Sequence, residues 1–290
     1  MMLQLLIGGL ATGAIYALAA TGFALVWQTS QTINFAQGEF VMLPAFFILA
    51  AVSLAGLPFW AAILVGFAVS ILVLGVLFKK LIVDPIAPNG VLPLVVATIA
   101  CALILKESVK EFYSAQAEPF PALVPTEYLR IGGAVISVQD LFVLAVSAAA
   151  VIALHVFLAH TRTGRAMQAT AQNPAVARIL GIDVGRMILY TFVINAGLAV
   201  VASILISPIY LAKFSNGEPI GLAAFIAAIV GGFNQVRGAI LGGLLLGVVD
   251  NFAAVYLSAQ YRGAIPLFLL VAVILFRPQG LLGRAEERTV

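Results

Sequence analysis

Across its first 78 residues the chain carries a single formal charge, Glu39, set just behind the polar run Asn34-Phe35-Ala36-Gln37-Gly38. A soluble domain cannot be built this way, because its surface needs groups that water wets. A bilayer removes that need: about 20 consecutive apolar residues cross the hydrocarbon as a helix whose backbone groups bond to one another. Polar side chains left within such a stretch are costly, so they mark helix breaks, packing points or a solute path. The chain therefore reads as an integral membrane protein, with Asn34–Glu39 the first segment to inspect for function.

Composition narrows the class further. Of 290 residues, 63% are hydrophobic and 9% charged, with mean hydropathy +1.13, against about 25% charged in soluble domains. A net charge of +3 gives no footprint for nucleic acid. Cys101 has no second cysteine to pair with and reads as a small core residue in an apolar run. Met1-Met2-Leu3-Gln4 places no basic residue before the first apolar run, unlike a cleaved signal peptide, so that run is expected to persist as a membrane helix. The whole of 1–290 reads as one transmembrane domain.

Runs free of Asp, Glu, Lys and Arg, broken at turn signals, predict an all-α polytopic protein. About eight helices are expected, some broken or re-entrant: 3–27, 33–54, 58–80, 91–112, 140–159, 185–206, 220–234 and 238–276. The last must divide near Gln260-Tyr261-Arg262-Gly263. Gln28-Thr29-Ser30-Gln31-Thr32 is either a surface turn or a break inside the membrane. Orientation follows from the basic residues. Lys79 and Lys80 follow the third helix, Arg162, Arg165, Arg178 and Arg186 crowd the segment 160–186, and Arg277, Arg284 and Arg288 follow the last helix. The 113–140 loop is instead acidic, with Glu118, Glu127 and Asp140. By the positive-inside rule the N-terminus lies outside, and both 160–186 and the C-terminus are cytoplasmic.

Small residues recur at every fourth position, as Gly9, Gly13, Ala17 and Thr21 near the start and Ala239, Gly243 and Gly247 near the end. Such stripes let helix backbones approach closely in lipid, and Gly9, Gly13, Gly243 and Gly247 are expected to serve packing.

Three constellations could carry chemistry. In the first, Asn34 opens a helix as its cap, with Gln37 at the third helical position reaching back in a capping box. Asn34 and Gln37 then only cap while Glu39 meets an interface, or the break lines a solute path with the positive end of the helix facing it. In the second, Thr161-Arg162-Thr163-Gly164-Arg165-Ala166-Met167 leads into Asn173-Pro174-Ala175-Val176-Ala177-Arg178-Ile179-Leu180-Gly181. Asn173 as N-cap, Pro174 at the first helical position and Gly181 past the end define a short helix. Its apolar Val176, Ile179 and Leu180 beside Arg178 suit a docking knob, whereas a plain positive-inside loop explains only the arginines. The third, Gly221 to Phe233 followed by Gly238, Gly242 and Gly243, reads as a short or re-entrant helix against a Gly-rich partner.

With these segments on the page, the sequence resembles the membrane permeases of ABC importers for branched-chain amino acids, in the subfamily of the shorter of the two permeases. The likeness runs through Gly13-Ala14-Ile15-Tyr16-Ala17-Leu18, Ile33 to Leu43, Gly164-Arg165-Ala166-Met167, Leu180-Gly181-Ile182, Gly221 to Gly232, and Arg277-Pro278-Gln279-Gly280-Leu281. The family usually has His at Gln37, Gly at Pro44 and often Lys at Ala223. These departures bear on the solute rather than on the resemblance.

The resemblance implies a partner set: a second homologous permease, two cytoplasmic ATPase subunits and an extracytoplasmic solute-binding protein, around a chain seated in a bacterial cytoplasmic (inner) membrane. It implies a translocation path including Asn34, Phe35, Gln37, Gly38, Glu39, Asn195 and Phe225. It also implies a coupling segment, about 160–186, whose ATPase contacts include Arg162, Gly164, Arg165, Met167, Asn173, Pro174, Arg178, Leu180 and Gly181. The chain has no Gly-x-x-x-x-Gly-Lys-Ser/Thr phosphate loop. ATP and Mg are therefore expected on the partner subunits, with no cofactor, metal or catalytic residue here. An intramembrane enzyme would need paired carboxylates, a metal set or an activated nucleophile, yet His155 and His160 are the only histidines. An ion-coupled carrier would place carboxylates at mid-membrane, where only Glu39 and Asp250 are candidates. The same permease role could serve urea, amides or other small solutes.

Overall fold

The computed structural model describes residues 2–125, 127–131, 134–257 and 263–283. Helices dominate: α1 (Met2–Ser30), α2 (Gln37–Ser53), α3 (Phe59–Asn89), α4 (Val91–Phe112), α5 (Val138–His160), α6 (Arg162–Gln172), α7 (Pro174–Ile179), α8 (Val184–Tyr210), α9 (Gly217–Gly231), α10 (Val236–Tyr256) and α11 (Ala264–Phe276). Among the described residues, six helices are long and apolar enough to cross a membrane, and α2, α9 and α11 are shorter apolar helices. The chain is a polytopic all-α membrane protein. Arg284, Arg288 and the proposed break at Gln260–Arg262 lie outside the described residues; Gly263 caps α11.

Local chemistry sets the boundaries. The Gln28–Thr32 patch closes α1, where Ser30 Oγ donates to the Val26 carbonyl at 2.7 Å and Gln31 takes a positive φ of 52°. Pro58 stands at the N-cap of α3. Ser137 caps α5 by accepting from the Gln139 amide at 3.2 Å.

The third helix departs from expectation. It does not stop at Lys80 but continues to Asn89 through two π-helical stretches, Ile71–Leu77 and Lys79–Val83. Lys79 remains within it because its Nζ sits 2.9 Å from Asp84 Oδ1, so the basic pair lies inside the last turns rather than beyond them. The 113–140 loop also holds structure that apolar periodicity did not reveal. Tyr128–Ile131 (β1) pairs antiparallel with Ala134–Ser137 (β2), and Glu118 forms a two-way backbone bridge with Ala212 at 2.9 Å.

The centre of the molecule is α1. It packs most extensively along α10, and also against α8, α9 and α5. Gly9 and Gly13 of α1 meet the α10 segment Gly243–Val248: a Cβ at Gly13 would lie 2.8 Å from the Gly243 carbonyl oxygen, and one at Gly9 2.9 Å from Val248 Cα. Only hydrogen fits there, and the reward is close van der Waals contact, the main attraction available between helices in lipid.

Candidate functional site

The start of α2 is set one turn later than the sequence indicates. Asn34 does not cap the helix: Ala36 is the N-cap residue, and its side chain makes no cap bond. Asn34 Oδ1 instead accepts from the Ala36 amide at 3.1 Å, while its carbonyl accepts from the Gln37 amide at 3.2 Å. The capping box is also absent, because the Gln37 side chain turns the other way. Its Nε2 donates to Asn195 Oδ1 at 2.7 Å, and Asn195 Nδ2 donates back to Gln37 Oε1 at 2.8 Å. Gln37 Nε2 also reaches the Ala19 carbonyl at 3.3 Å. Both side chains are fully buried. Two facing primary amides satisfy each other's donor and acceptor away from water, which a single cap bond would not do. Gly22 makes the room, since a Cβ there would come within 2.6 Å of Gln37 Nε2. The pair thus clasps α2 to α8 across α1.

On the opposite side of this first turn lies a cleft of about 240 Å³. Gly38 brings α2 against the first turn of α9, where a Cβ at Gly221 would sit 2.9 Å from Gly38 Cα. The walls are apolar and aromatic, formed by Phe23, Phe35, Ile99, Leu103, Leu222 and Phe225. Glu39 is set into them, 4% exposed, and its Oε2 is buried with no hydrogen-bond partner. At the mouth, Lys106 Nζ approaches Glu218 Oε2 at 3.3 Å. Phe35 is held from α4 by its own amide, which donates to Thr98 Oγ1 at 3.2 Å.

From the cleft an aromatic row runs along α1 and α9. Phe35 meets Phe225 with centroids 5.6 Å apart, Phe225 meets Phe23 at 5.7 Å and Phe233 at 6.0 Å, and Phe233 meets Trp27 at 5.4 Å. These spacings suit edge-to-face and tilted ring contact. Trp27 Nε1 ends the row by donating to Asn234 Oδ1 at 2.9 Å.

Of the residues read from the sequence, Phe35, Gly38, Glu39 and Phe225 line the cleft together. Gln37 and Asn195 lie behind it, and Asn34 is buried in the preceding turn. Sequence reasoning missed Phe23, Lys106, Gly217 and Glu218. The available signal for Lys106 was its place as the first charge to interrupt the run 85–105. Among the described residues no group of His, Cys, Asp and Glu is placed to hold a metal.

The segment expected to couple to the ATPases forms two short helices joined at a capped turn. Thr161 Oγ1 accepts from the Gly164 amide at 2.9 Å, and Asn173 Oδ1 accepts from the Ala175 and Val176 amides, both at 3.0 Å. Pro174 stands at the first position of α7, and Gly181 leaves it with a φ of 80°. Arg162, Arg165, Arg178, Ile179 and Leu180 face outward, Leu180 with 72% exposure. Gly164 and Met167 point inward instead. A Cβ at Gly164 would lie 2.6 Å from Leu158 Cα, so this glycine sets the angle between α5 and α6.

A bundle of helices long enough to cross a membrane, an apolar cleft holding a buried carboxyl between two shorter helices and an outward amphipathic knob are the features of a membrane transport protein. The chain belongs to the family described as branched-chain amino acid transport system / permease component, whose model matches residues 5–274. It is 34% identical, over 99% of its length and 98% of the relative's, to the high-affinity branched-chain amino acid transport system permease protein BraD of Pseudomonas aeruginosa. To the corresponding LivH of Escherichia coli it is 31% identical, over 99% and 97%. A probable branched-chain amino acid transport permease protein LivH of Methanocaldococcus jannaschii is 27% identical over 97% and 92%. Among solved structures it shares a fold with PsaBC from Streptococcus pneumoniae in complex with Fab, at TM-score 0.51 and 14% identity, covering 94% of this chain and 91% of that one. The chain is a permease subunit of an ABC importer.

Proposed function

We propose that the chain carries branched-chain amino acids across a bacterial cytoplasmic membrane, and that the cleft at the start of α2 is a station on the path. One observation carries this reading: an unpartnered Glu39 carboxyl oxygen set in an apolar, aromatic wall, with the Lys106 ammonium at its rim. A zwitterion with a branched aliphatic side chain has the complementary parts. Its ammonium suits Glu39, its carboxylate suits Lys106 and its side chain suits Phe23, Phe35 and Phe225. An ion-coupled carrier is disfavoured by the family to which the chain belongs.

The family resemblance supplies the rest. A second homologous permease would complete the path, and an extracytoplasmic binding protein would deliver the solute. Two ATPase subunits would bind ATP and Mg and dock on α6 and α7. The basic residues support a cytoplasmic α6–α7 and an outside N-terminus. Glu39→Gln in the assembled importer tests the cleft: uptake of leucine should fall sharply at equal membrane abundance while ATPase activity stimulated by the binding protein persists. Unchanged uptake would remove the cleft from the path, and loss of both activities would make Glu39 structural.

A further inference from the structure

A second cavity, about 830 Å³, lies on the other side of α1. Helices α5 and α10 both pack on α1, and between them they leave a fissure over its C-terminal turns. Leu25 and Gln28 form its floor and Ile152 and Ile240 stand on its two walls, while α6 and the turn before α10 close one end. At 3.6 residues per turn, Leu25 and Gln28 project away from Phe23 and Trp27, so the fissure and the aromatic row lie on different faces of α1 and meet at Asn234, which lines the cavity and accepts from Trp27. Its flanks continue into outward apolar side chains, with Ile152 61% and Leu241 46% exposed. It therefore opens sideways from the bundle.

The two ends of the fissure differ chemically. The upper walls are aliphatic. The closed end gathers donors: the Arg237 guanidinium, the side chains of His155 and Gln168, and Gln28, whose Nε2 is buried without an acceptor. No Asp or Glu lines the cavity, and Arg237 has no carboxylate partner among the described residues. Arg237 also stands in the first turn of α10, which has no side-chain cap, so the helix dipole adds to the positive field there. A cation and further donors, one of them buried without an acceptor, beside an aliphatic slot complement an anionic amphiphile. We propose that the fissure binds one anionic phospholipid, with its phosphate at Arg237 and Gln28 and an acyl chain between α5 and α10. A lipid so placed would brace α6, whose Met167 and Gln168 line the same cavity.

The test uses the assembled importer in nanodiscs containing traces of phosphatidylglycerol with a photoactivatable acyl chain, or the matching phosphatidylcholine probe. Labelled peptides are then mapped. Phosphatidylglycerol should label the 25–29 and 237–241 peptides about fivefold more than phosphatidylcholine, the weight of one basic residue at an anionic surface. Arg237→Gln should erase the preference and Arg237→Lys should keep it. Equal labelling by the two probes, or a preference that survives Arg237→Gln, overturns the proposal. Absence of label at these peptides would overturn it too, assigning the fissure to a neighbouring subunit. Displacement of the label by excess inorganic phosphate would assign the donors to free phosphate instead of lipid.

Discussion

Gln37 and Asn195 face each other as two primary amides, both buried from solvent. Removing Gln37 leaves the donor and acceptor of Asn195 orphaned, whereas removing both leaves only a packing change. Gln37→Leu should therefore destabilise the purified chain by about 1–3 kcal/mol. Gln37→Leu combined with Asn195→Leu should recover part of that loss. Unfolding in mixed micelles titrated with SDS measures both, and equal or additive losses would show that the amides do not depend on each other. Both residues drew attention in the sequence as polar groups in apolar runs, but their bond did not. A sequence displays partners a few positions away, so Gln37 suggested a capping box with Asn34; its real partner lies 158 positions along the chain. Lys106 was equally illegible as a cleft residue, because its partner Glu218 belongs to another helix.

Periodicity made most of the helices legible, since the bilayer forces each apolar run into a hydrogen-bonded span. It failed at α3, where charge implied a helix end. A lysine tethered to Asp84 can stay in the helix, and the widened π turns around Gly75 follow its packing on α8, where a Cβ would lie 3.1 Å from Val193 Cα. The α1–α10 seam yields a prediction at this scale. A Cβ at Gly243 would fall 2.5 Å from Ala17 Cα, so even Gly243→Ala must push the helices apart, at a cost of about 1–3 kcal/mol for overpacking. A thermal scan of the detergent-solubilised chain should show the loss, and an unchanged midpoint would mean the seam is looser than its geometry. The α7 knob behaves oppositely because its apolar groups are already outside. Leu180→Asp should leave that midpoint unchanged yet abolish co-purification of the ATPase subunits. Full ATPase recovery would move the docking surface elsewhere.

For the whole molecule, the distribution of basic residues predicts which side each loop faces. Ala175 is exposed on α7, so Ala175→Cys in a Cys101→Ala background should resist a membrane-impermeant maleimide in intact cells and react after permeabilisation. Ready labelling of intact cells would invert the topology. The central place of α1 has another consequence, in the order of manufacture. It leaves the ribosome before the other described helices, but its principal neighbour α10 begins only after Tyr210 and Gly231 have closed the two helices before it. At the usual pace of synthesis, roughly two hundred intervening residues take about 10–40 s. Throughout that interval the glycine face of α1 lies open to lipid or to whatever insertion machinery shelters it. A ribosome that stalls before Val236 would thus release a chain whose hub has no seam to close, an unfinished product that membrane proteases could recognise by that bare face alone.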